Sequence, residues 1–198
     1  MTSVSSAGDV NGDGFSDVIV GCSEEYNGSG GGPGTPQGSA AVFHGGAGGL
    51  SVLPNWSRTN NNNSYGSDVS CAGDVNGDGF SEILISGLQF GTGQANEGRV
   101  ELYSGGLSGL STIASWSFET DQASATLGSA ESAGDVNGDG FSDVIVGSPL
   151  YDNGHLDEGR MWMFTGSPSG LRPQVLMVVS EISQALPLSG SLLPLPVM

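Results

Sequence analysis

Oxygen-bearing side chains recur at fixed intervals in a ten-residue string, AGDVNGDGFS, which occurs three times, at residues 7–16, 72–81 and 133–142. Counted from its first aspartate, each copy has Asp at position 1, Asn at position 3, Asp at position 5 and an acid at position 9. Side-chain oxygens at alternating positions of a tight loop are typical of a site that wraps a hard cation. A glycine at position 6 lets the chain turn so that the carbonyl of position 7 points inward. The string therefore predicts three cation sites.

The predicted ligands follow from this numbering. They are Asp9, Asn11, Asp13, the carbonyl of Phe15 and Asp17 in the first copy; Asp74, Asn76, Asp78, the carbonyl of Phe80 and Glu82 in the second; and Asp135, Asn137, Asp139, the carbonyl of Phe141 and Asp143 in the third. All these donors are oxygens, which disfavours zinc and copper. A flexible loop with three carboxylates suits Ca²⁺ better than Mg²⁺, which demands stricter octahedral geometry. We therefore expect three calcium sites.

Two other interpretations of the string are open. Asp, Asn and Gly also favour tight turns without any metal, although three identical copies, each with a further acid at position 9, favour calcium. An EF-hand loop begins in the same way, but it needs a glutamate at position 12 and a helix after the loop. Position 12 is Val20, Ile85 or Val146 here, and a β-branched run follows each loop. The sequence therefore argues against an EF-hand.

The similarity between the copies extends beyond the string. The first aspartates are 65 and 61 residues apart, since they lie at positions 9, 74 and 135. Each loop is followed by a β-branched run, and two more strand-like segments and a polar turn precede the next copy. Four strands per repeat without helical periodicity predict an all-β fold of β-propeller blades, with three four-stranded antiparallel repeats that are part of a larger propeller. The expected blades span residues 1–64, 65–126 and 127–171. Residues 172–198 form an atypical Leu- and Pro-rich tail, of which Val175–Ser180 could be the outer strand of the last blade.

Charge and cysteine content narrow the classes of partner. The 198 residues carry a formal net charge of −17, with four arginines and no lysine. A surface of that sign repels nucleic acid and anionic lipid, and no run of 18 apolar residues is present. We therefore expect no nucleic acid partner and no membrane insertion. Cys22 and Cys71 fall at different positions of the repeat, which favours two buried thiols over a disulfide and leaves the pairing open.

In this strand context the repeats resemble the FG-GAP repeat family, the calcium-binding blades of integrin α-subunit propellers. The FG element matches Tyr65–Gly66 and Leu127–Gly128, and the GAP element matches Gly147–Ser148–Pro149. The resemblance implies a propeller whose loops between the first two strands of a blade hold calcium. It also implies structural support for an adhesion or recognition surface.

The functional expectation is a non-catalytic, calcium-binding module that is extracellular or at the cell surface, although no signal peptide is visible. Its partner would be an extracellular protein or a glycan. The alternative is the scaffold portion of a larger secreted enzyme or a lectin-like glycan-binding protein. Three blades are fewer than a closed propeller needs, so we also expect association with further blades of the same propeller or with another copy of the chain.

Overall fold

The computed structural model describes residues 2–25, 37–61, 64–91 and 93–177, and within these ranges it contains twelve β-strands and no helix. The strands are β1 (Thr2–Gly8), β2 (Asp17–Glu25), β3 (Gln37–Phe43), β4 (Trp56–Asn60), β5 (Tyr65–Gly73), β6 (Glu82–Gly87), β7 (Arg99–Tyr103), β8 (Trp116–Glu119), β9 (Ser129–Gly134), β10 (Asp143–Ser148), β11 (Arg160–Thr165) and β12 (Arg172–Met177). No helix among these residues is long and apolar enough to cross a bilayer.

The strands form three sheets of four antiparallel strands, and each sheet is a simple meander. The first sheet has the order β1-β2-β3-β4, the second β5-β6-β7-β8, and the third β9-β10-β11-β12. The predicted all-β fold of four-stranded propeller blades is confirmed. In the third sheet the outer strand is β12, which pairs with β11 from Arg172 onwards. It begins three residues before the predicted segment Val175–Ser180. The rest of the predicted tail, residues 178–198, lies outside the described residues.

The first strand of each sheet ends in a bulge that directs the chain into the following loop. The register of pairing shifts next to Gly8, Gly73 and Gly134. These glycines have φ between 70° and 78°, in the left-handed region that side chains other than glycine rarely adopt. Because a bulge with a left-handed glycine bends its strand, the aspartate that follows leaves the sheet and opens the loop.

Two hydrophobic cores lie between neighbouring sheets. One is shared by the first and second sheets, and its members include Ile19, Val42, Trp56, Val69, Ile83, Ile85 and Tyr103. The other is shared by the second and third sheets, and its members include Leu84, Val100, Leu102, Val144, Val146, Trp162 and Phe164. The second sheet is therefore buried on both faces, because alternate residues of a strand point to opposite sides. The first and third sheets are each covered on one face by the second.

Aromatic contacts repeat between the sheets. Trp56 of the first sheet packs edge-on against Tyr103 of the second, with ring centroids 5.2 Å apart. Trp116 of the second sheet packs in the same way against Phe164 of the third, at 4.7 Å. Such pairs stabilise a core beyond the area that they bury, so both tryptophans hold neighbouring blades together.

Polar groups are also buried in the core between the first and second sheets. Tyr65 donates a hydrogen bond to the hydroxyl of Tyr103 at 3.1 Å, and Tyr103 donates one to Glu101 at 2.6 Å. Burial and the hydrogen bond to Glu101 raise the pKa of Tyr103 to about 12.

Cys22 and Cys71 are both half-buried thiols.

Candidate metal centre

Each predicted cation loop lies between the first and second strands of its sheet. The loop that begins at Asp9 joins β1 to β2, the loop at Asp74 joins β5 to β6, and the loop at Asp135 joins β9 to β10. All three loops therefore occupy equivalent places at the same end of the three sheets. This is the place in the blade that the resemblance to FG-GAP repeats implies for the loops.

The aspartate at position 1 organises the first loop. Its two carboxylate oxygens accept hydrogen bonds from the backbone N–H groups of Gly12 at 2.7 Å, Asp13 at 3.2 Å and Gly14 at 2.8 Å. Gly12 and Gly14 have φ of 74° and 88°, which allows the chain to curl around the carboxylate. The sequence folds into a tight loop here because a single side chain satisfies the donors of three successive residues.

The same hydrogen bonds recur in the other two loops. Asp74 accepts from the N–H groups of Gly77 at 2.6 Å and Gly79 at 2.9 Å. Asp135 accepts from Gly138 at 2.7 Å and Gly140 at 2.8 Å. The distances from these glycines agree to within about 0.1 Å among the three loops, so the identity of the three strings is matched by a closely similar backbone geometry.

The side chains at positions 3 and 5 are adjacent at the loop surface. In the first loop the side-chain amide of Asn11 donates to a carboxylate oxygen of Asp13 at 3.0 Å, and the other oxygen of Asp13 accepts from the Phe15 N–H at 3.0 Å. The equivalent amide-to-carboxylate contacts are 3.0 Å in the second loop and 2.9 Å in the third. The carboxylate at position 5 is exposed in every loop. These oxygens are therefore accessible to an ion from solvent.

The acid at position 9 lies beneath the loop and is buried. Both oxygens of Asp17 accept backbone N–H groups, from Val10 at 2.9 Å and from Gly45 at 2.8 Å. Asp143 is held in the same way, by Val136 at 2.8 Å and by Gly166 at 2.9 Å. This acid therefore ties the loop to the turn that follows the third strand of the sheet, a contact that the sequence did not reveal.

The second loop has the longer glutamate at position 9. Glu82 accepts from the Val75 N–H at 2.8 Å and from the side-chain amide of Asn76 at 3.3 Å. Burial is the largest cause that raises the pKa of Glu82, to about 7; the nearby Asp78 and Asp74 carboxylates also raise it, and the Val75 N–H opposes them. The negative charges of the loop thus disfavour the ionised form of Glu82, and a cation would reverse that effect.

In the first and third loops the backbone favours the ionised form of the position 1 carboxylate. Hydrogen bonds from Gly140 and neighbouring N–H groups lower the pKa of Asp135, against a small opposing effect of burial. In the first loop, burial raises the pKa of Asp9, but four backbone N–H groups outweigh it and lower the pKa overall. A carboxylate kept ionised is ready to bind a cation without first losing a proton.

A second group of acids lies elsewhere in the second sheet, and no sequence motif predicts it. Within the described ranges, the group of three acidic side chains with oxygens inside 4.8 Å of one another is Glu97, Glu119 and Asp121; the loop carboxylates do not form such a group. Arg99 donates to Glu119 at 2.8 Å, which already offsets its charge. No spacing in the sequence signals this group, because Glu97 precedes β7 whereas Glu119 and Asp121 lie at the end of β8, and these segments meet only in the folded chain.

The donor chemistry of the three loops fits a hard divalent cation. Each loop offers two exposed or half-buried carboxylates and an amide oxygen, a buried carboxylate beneath them, and no sulfur ligand. Oxygen donors of this kind suit Ca²⁺ and Mg²⁺. His44 contacts the first loop at its edge, where Nδ1 lies 3.2 Å from the side-chain nitrogen of Asn11.

Comparison with known proteins gives partial matches. A family model described as FG-GAP repeat matches residues 127–162. The chain is 34% identical to integrin alpha-10 of Homo sapiens over 128 residues, which are 63% of this chain and 11% of that protein. It is 34% identical to integrin alpha-2 of Bos taurus over 112 residues, which are 55% of this chain and 9% of that protein.

A protein of another kind matches a shorter part of the chain. Phosphatidylinositol-glycan-specific phospholipase D of Homo sapiens is 38% identical over 63 residues, which are 31% of this chain and 8% of that protein. The chain therefore spans about a tenth of the length of the curated relatives it matches.

Proposed function

Because this chain belongs to the FG-GAP repeat family, a family of β-propeller blades, we propose that its three loops each bind one Ca²⁺ ion. We propose further that the ions stabilise a propeller segment that recognises an extracellular protein or a glycan. The observation that carries the proposal is the repetition of one loop geometry three times, with the position 1 aspartate accepting the same backbone N–H groups each time.

The proposed ligands are the position 1, 3, 5 and 9 side chains and the position 7 carbonyl. They are Asp9, Asn11, Asp13, Phe15 and Asp17; Asp74, Asn76, Asp78, Phe80 and Glu82; and Asp135, Asn137, Asp139, Phe141 and Asp143. A bound ion supplies positive charge that offsets three nearby carboxylates, which otherwise repel one another. The chain's own contribution is a curled backbone that carries all five donors on one short loop.

Calcium is favoured over magnesium because the donors are carboxylate, amide and carbonyl oxygens of one short loop, which need not form an ideal octahedron. Mg²⁺ keeps several waters and demands near-ideal octahedral geometry, whereas Ca²⁺ accepts six to eight oxygens in variable arrangements. Extracellular modules bind Ca²⁺ with dissociation constants of about 10⁻⁴–10⁻³ M. Loops of this affinity would be filled outside the cell, which supports an extracellular or cell-surface location.

The adhesion role rests on the integrin relatives. Two of the relatives reported above are integrin α-subunits, and each match covers about a tenth of that protein's length. The net charge of −17 supports a partner that is not a nucleic acid. The proposed partner class is therefore a protein or glycan outside the cell, and the proposed role is binding without catalysis.

Isothermal titration calorimetry tests the calcium sites directly. The full chain, freed of metal by a chelator, should bind three Ca²⁺ ions. Asp139→Asn removes one carboxylate from the exposed position 5 of the third loop, so it should lower the number of sites to two or weaken one site by about tenfold or more. Asp157→Asn is the matched control, because it removes the same charge from an exposed residue outside the loops. Three unchanged sites in Asp139→Asn would contradict the assignment.

The second candidate function is the scaffold of a larger secreted enzyme or of a lectin-like protein. The match to a phospholipase D favours it, although that match covers 63 residues. On this hypothesis the chain still binds calcium but its partner is another domain. A glycan and matrix-protein array separates the two, since a recognition module should bind a ligand on the array while a scaffold should bind none.

A further inference from the structure

The two junctions between neighbouring sheets are built from equivalent positions of the repeat. At the first junction the N–H of Ser81 donates to the carbonyl of Asp9 at 2.9 Å, and the N–H of Gly106 donates to the carbonyl of Val10 at 2.9 Å. The side chain of Val10 is fully buried there. The loop of one sheet thus receives the loop and the third-strand turn of the next sheet.

The second junction repeats this pattern one sheet further on. The N–H of Ser142 donates to the carbonyl of Asp74 at 2.8 Å, and the N–H of Ser167 donates to the carbonyl of Val75 at 3.0 Å. Val75 is fully buried, like Val10. We call the face of a sheet that packs against the following sheet its trailing face. We call the face that packs against the preceding sheet its leading face.

Aromatic rings also cross both junctions. A Cβ built on Gly12 would lie 2.5 Å from Cε1 of Phe80, and a Cβ built on Gly77 would lie 2.6 Å from Cε1 of Phe141. The ring of each following sheet therefore rests on a glycine of the preceding loop, where any side chain would collide with it. The glycine at position 4 of the string is explained by this contact as well as by its positive φ.

The trailing face of the third sheet repeats the glycines and the valine of this pattern, as Gly134, Val136 and Gly138, and is open, although Glu131 stands there where the second sheet has Ser70. Among the described residues, nothing lies within 4 Å of a Cβ built on Gly134 or on Gly138. Val136 is 51% exposed, whereas its counterparts Val10 and Val75 are fully buried. Ile145 is half-buried, whereas its counterpart Leu84 is buried. A groove of about 490 Å³ on this face is lined by residues that include Ile145, Met161 and Glu131.

The leading face of the first sheet is also exposed, at the residues that correspond to the buried leading faces of the other two sheets. Val4 is 69% exposed, whereas its counterparts Val69 and Ala130 are 3% and 1% exposed. Phe15, the counterpart of the rings that rest on Gly12 and Gly77, is 42% exposed. The described part of the chain therefore carries both halves of a third junction, one at each end of its row of sheets.

We propose that the trailing face of the third sheet binds the leading face of the first sheet of a second copy of this chain. The partner's chemistry follows from the two junctions already present, because in each of them the counterparts of Val4 and Phe15 pack against the counterparts of Val136 and Gly138. The interface is head-to-tail, so it closes into a ring or continues as a filament. Two copies of the three described sheets bring six blades together, a number within the range of about four to eight that propellers have, and the proposed ring is this pair with two identical junctions.

Three matched valine-to-arginine variants test the dimer by sedimentation equilibrium of the full chain. The unaltered chain should have twice the 19.9 kDa mass of one copy. Val136→Arg on the trailing face and Val4→Arg on the leading face should each weaken the dimer by about 100-fold or more, because each puts a large charged side chain at a position where both existing junctions bury a small apolar one. Val52→Arg is the control, since Val52 is 94% exposed and lies on neither face. It should leave the dimer intact.

The outcomes separate a head-to-tail dimer from its alternatives. A monomeric unaltered chain would overturn the proposal, and so would an assembly larger than two copies. If only one of Val136→Arg and Val4→Arg disrupted the dimer, the interface would be a symmetric contact of one face and the proposal would be wrong. Unchanged melting temperatures of the monomeric variants, measured at low protein concentration, should show that both still fold, as expected for substitutions at exposed positions.

Discussion

The buried carboxylate of Asp17 accepts the backbone N–H of Val10 at 2.9 Å, across the base of the first loop. Its other oxygen accepts the N–H of Gly45 at 2.8 Å. The acid at position 9 is therefore part of the framework of the fold before any ion is considered. Asp17 therefore shapes the loop, whereas the exposed Asp13 lies at the loop surface, where an ion can reach it.

Replacing Asp17 should destabilise the protein even without calcium. Asp17→Asn puts an amide nitrogen where one of two backbone N–H groups needs an acceptor, so a buried donor loses its partner. We expect the free energy of unfolding to fall by about 1–3 kcal/mol in the presence of a chelator. Urea denaturation followed by circular dichroism measures this change.

Asp13→Asn is the matched control for that experiment. Asp13 is exposed, so the same chemical change should alter the stability of the metal-free protein by less than about 0.5 kcal/mol. It should weaken calcium binding all the same, because a carboxylate ligand is lost. Equal destabilisation by the two substitutions without calcium would contradict the framework role of Asp17.

The buried tyrosine pair should show an order of effects. Tyr103→Phe removes the donor to Glu101 and the acceptor of the Tyr65 hydroxyl, which leaves both partners buried and less satisfied. Tyr65→Phe removes only one donor. We expect losses in the free energy of unfolding of about 2–3 kcal/mol for Tyr103→Phe and about 1 kcal/mol for Tyr65→Phe. Chemical denaturation of both variants checks the order, and the reverse order would refute this account of the network.

Two glycines with one backbone conformation should differ in their tolerance of a methyl group. Gly77 and Gly138 have φ of 76° and 74°, but only Gly77 faces a ring, that of Phe141, within the described chain. Gly138→Ala should therefore cost only the strain of a left-handed residue, about 1–2 kcal/mol. Gly77→Ala should cost more than that, because the ring must also move.

This comparison is best made by thermal unfolding in the Val136→Arg background. There the proposed second copy does not occupy the space beside Gly138, so only the fold of one chain is measured. Equal losses for the two alanine variants would mean that the ring of Phe141 yields freely, and the steric role of this glycine at the junction would be excluded.

The loops and most strands could be predicted from the sequence because their signals are local. A string such as that of Asp9–Asp17 contains its own turn residues, and the β-branched run from Val18 to Val20 follows it directly. Local chemistry also gave the all-β fold with four strands in each repeat. The repetition strengthened each of these predictions, since three copies agree.

Other features depend on contacts between distant segments and could not be predicted. The acid group of Glu97, Glu119 and Asp121 comes together from the segment before β7 and the end of β8. The tie between Asp17 and Gly45 spans 28 residues. The outer strand of the last sheet was predicted at Val175–Ser180, but its start at Arg172 was not, because its sequence is unlike β4 and β8 and its start is set by pairing with β11.

Thermal unfolding of the 198-residue chain in calcium, in magnesium and in a chelator tests the central claim most directly. Each site filled at about ten times its dissociation constant adds about 1.4 kcal/mol. Three sites should therefore raise the melting temperature by about 10 °C in calcium, and magnesium at the same concentration should raise it much less. A cooperative transition at one temperature in all three conditions would contradict calcium binding and leave the repeated loops as turns.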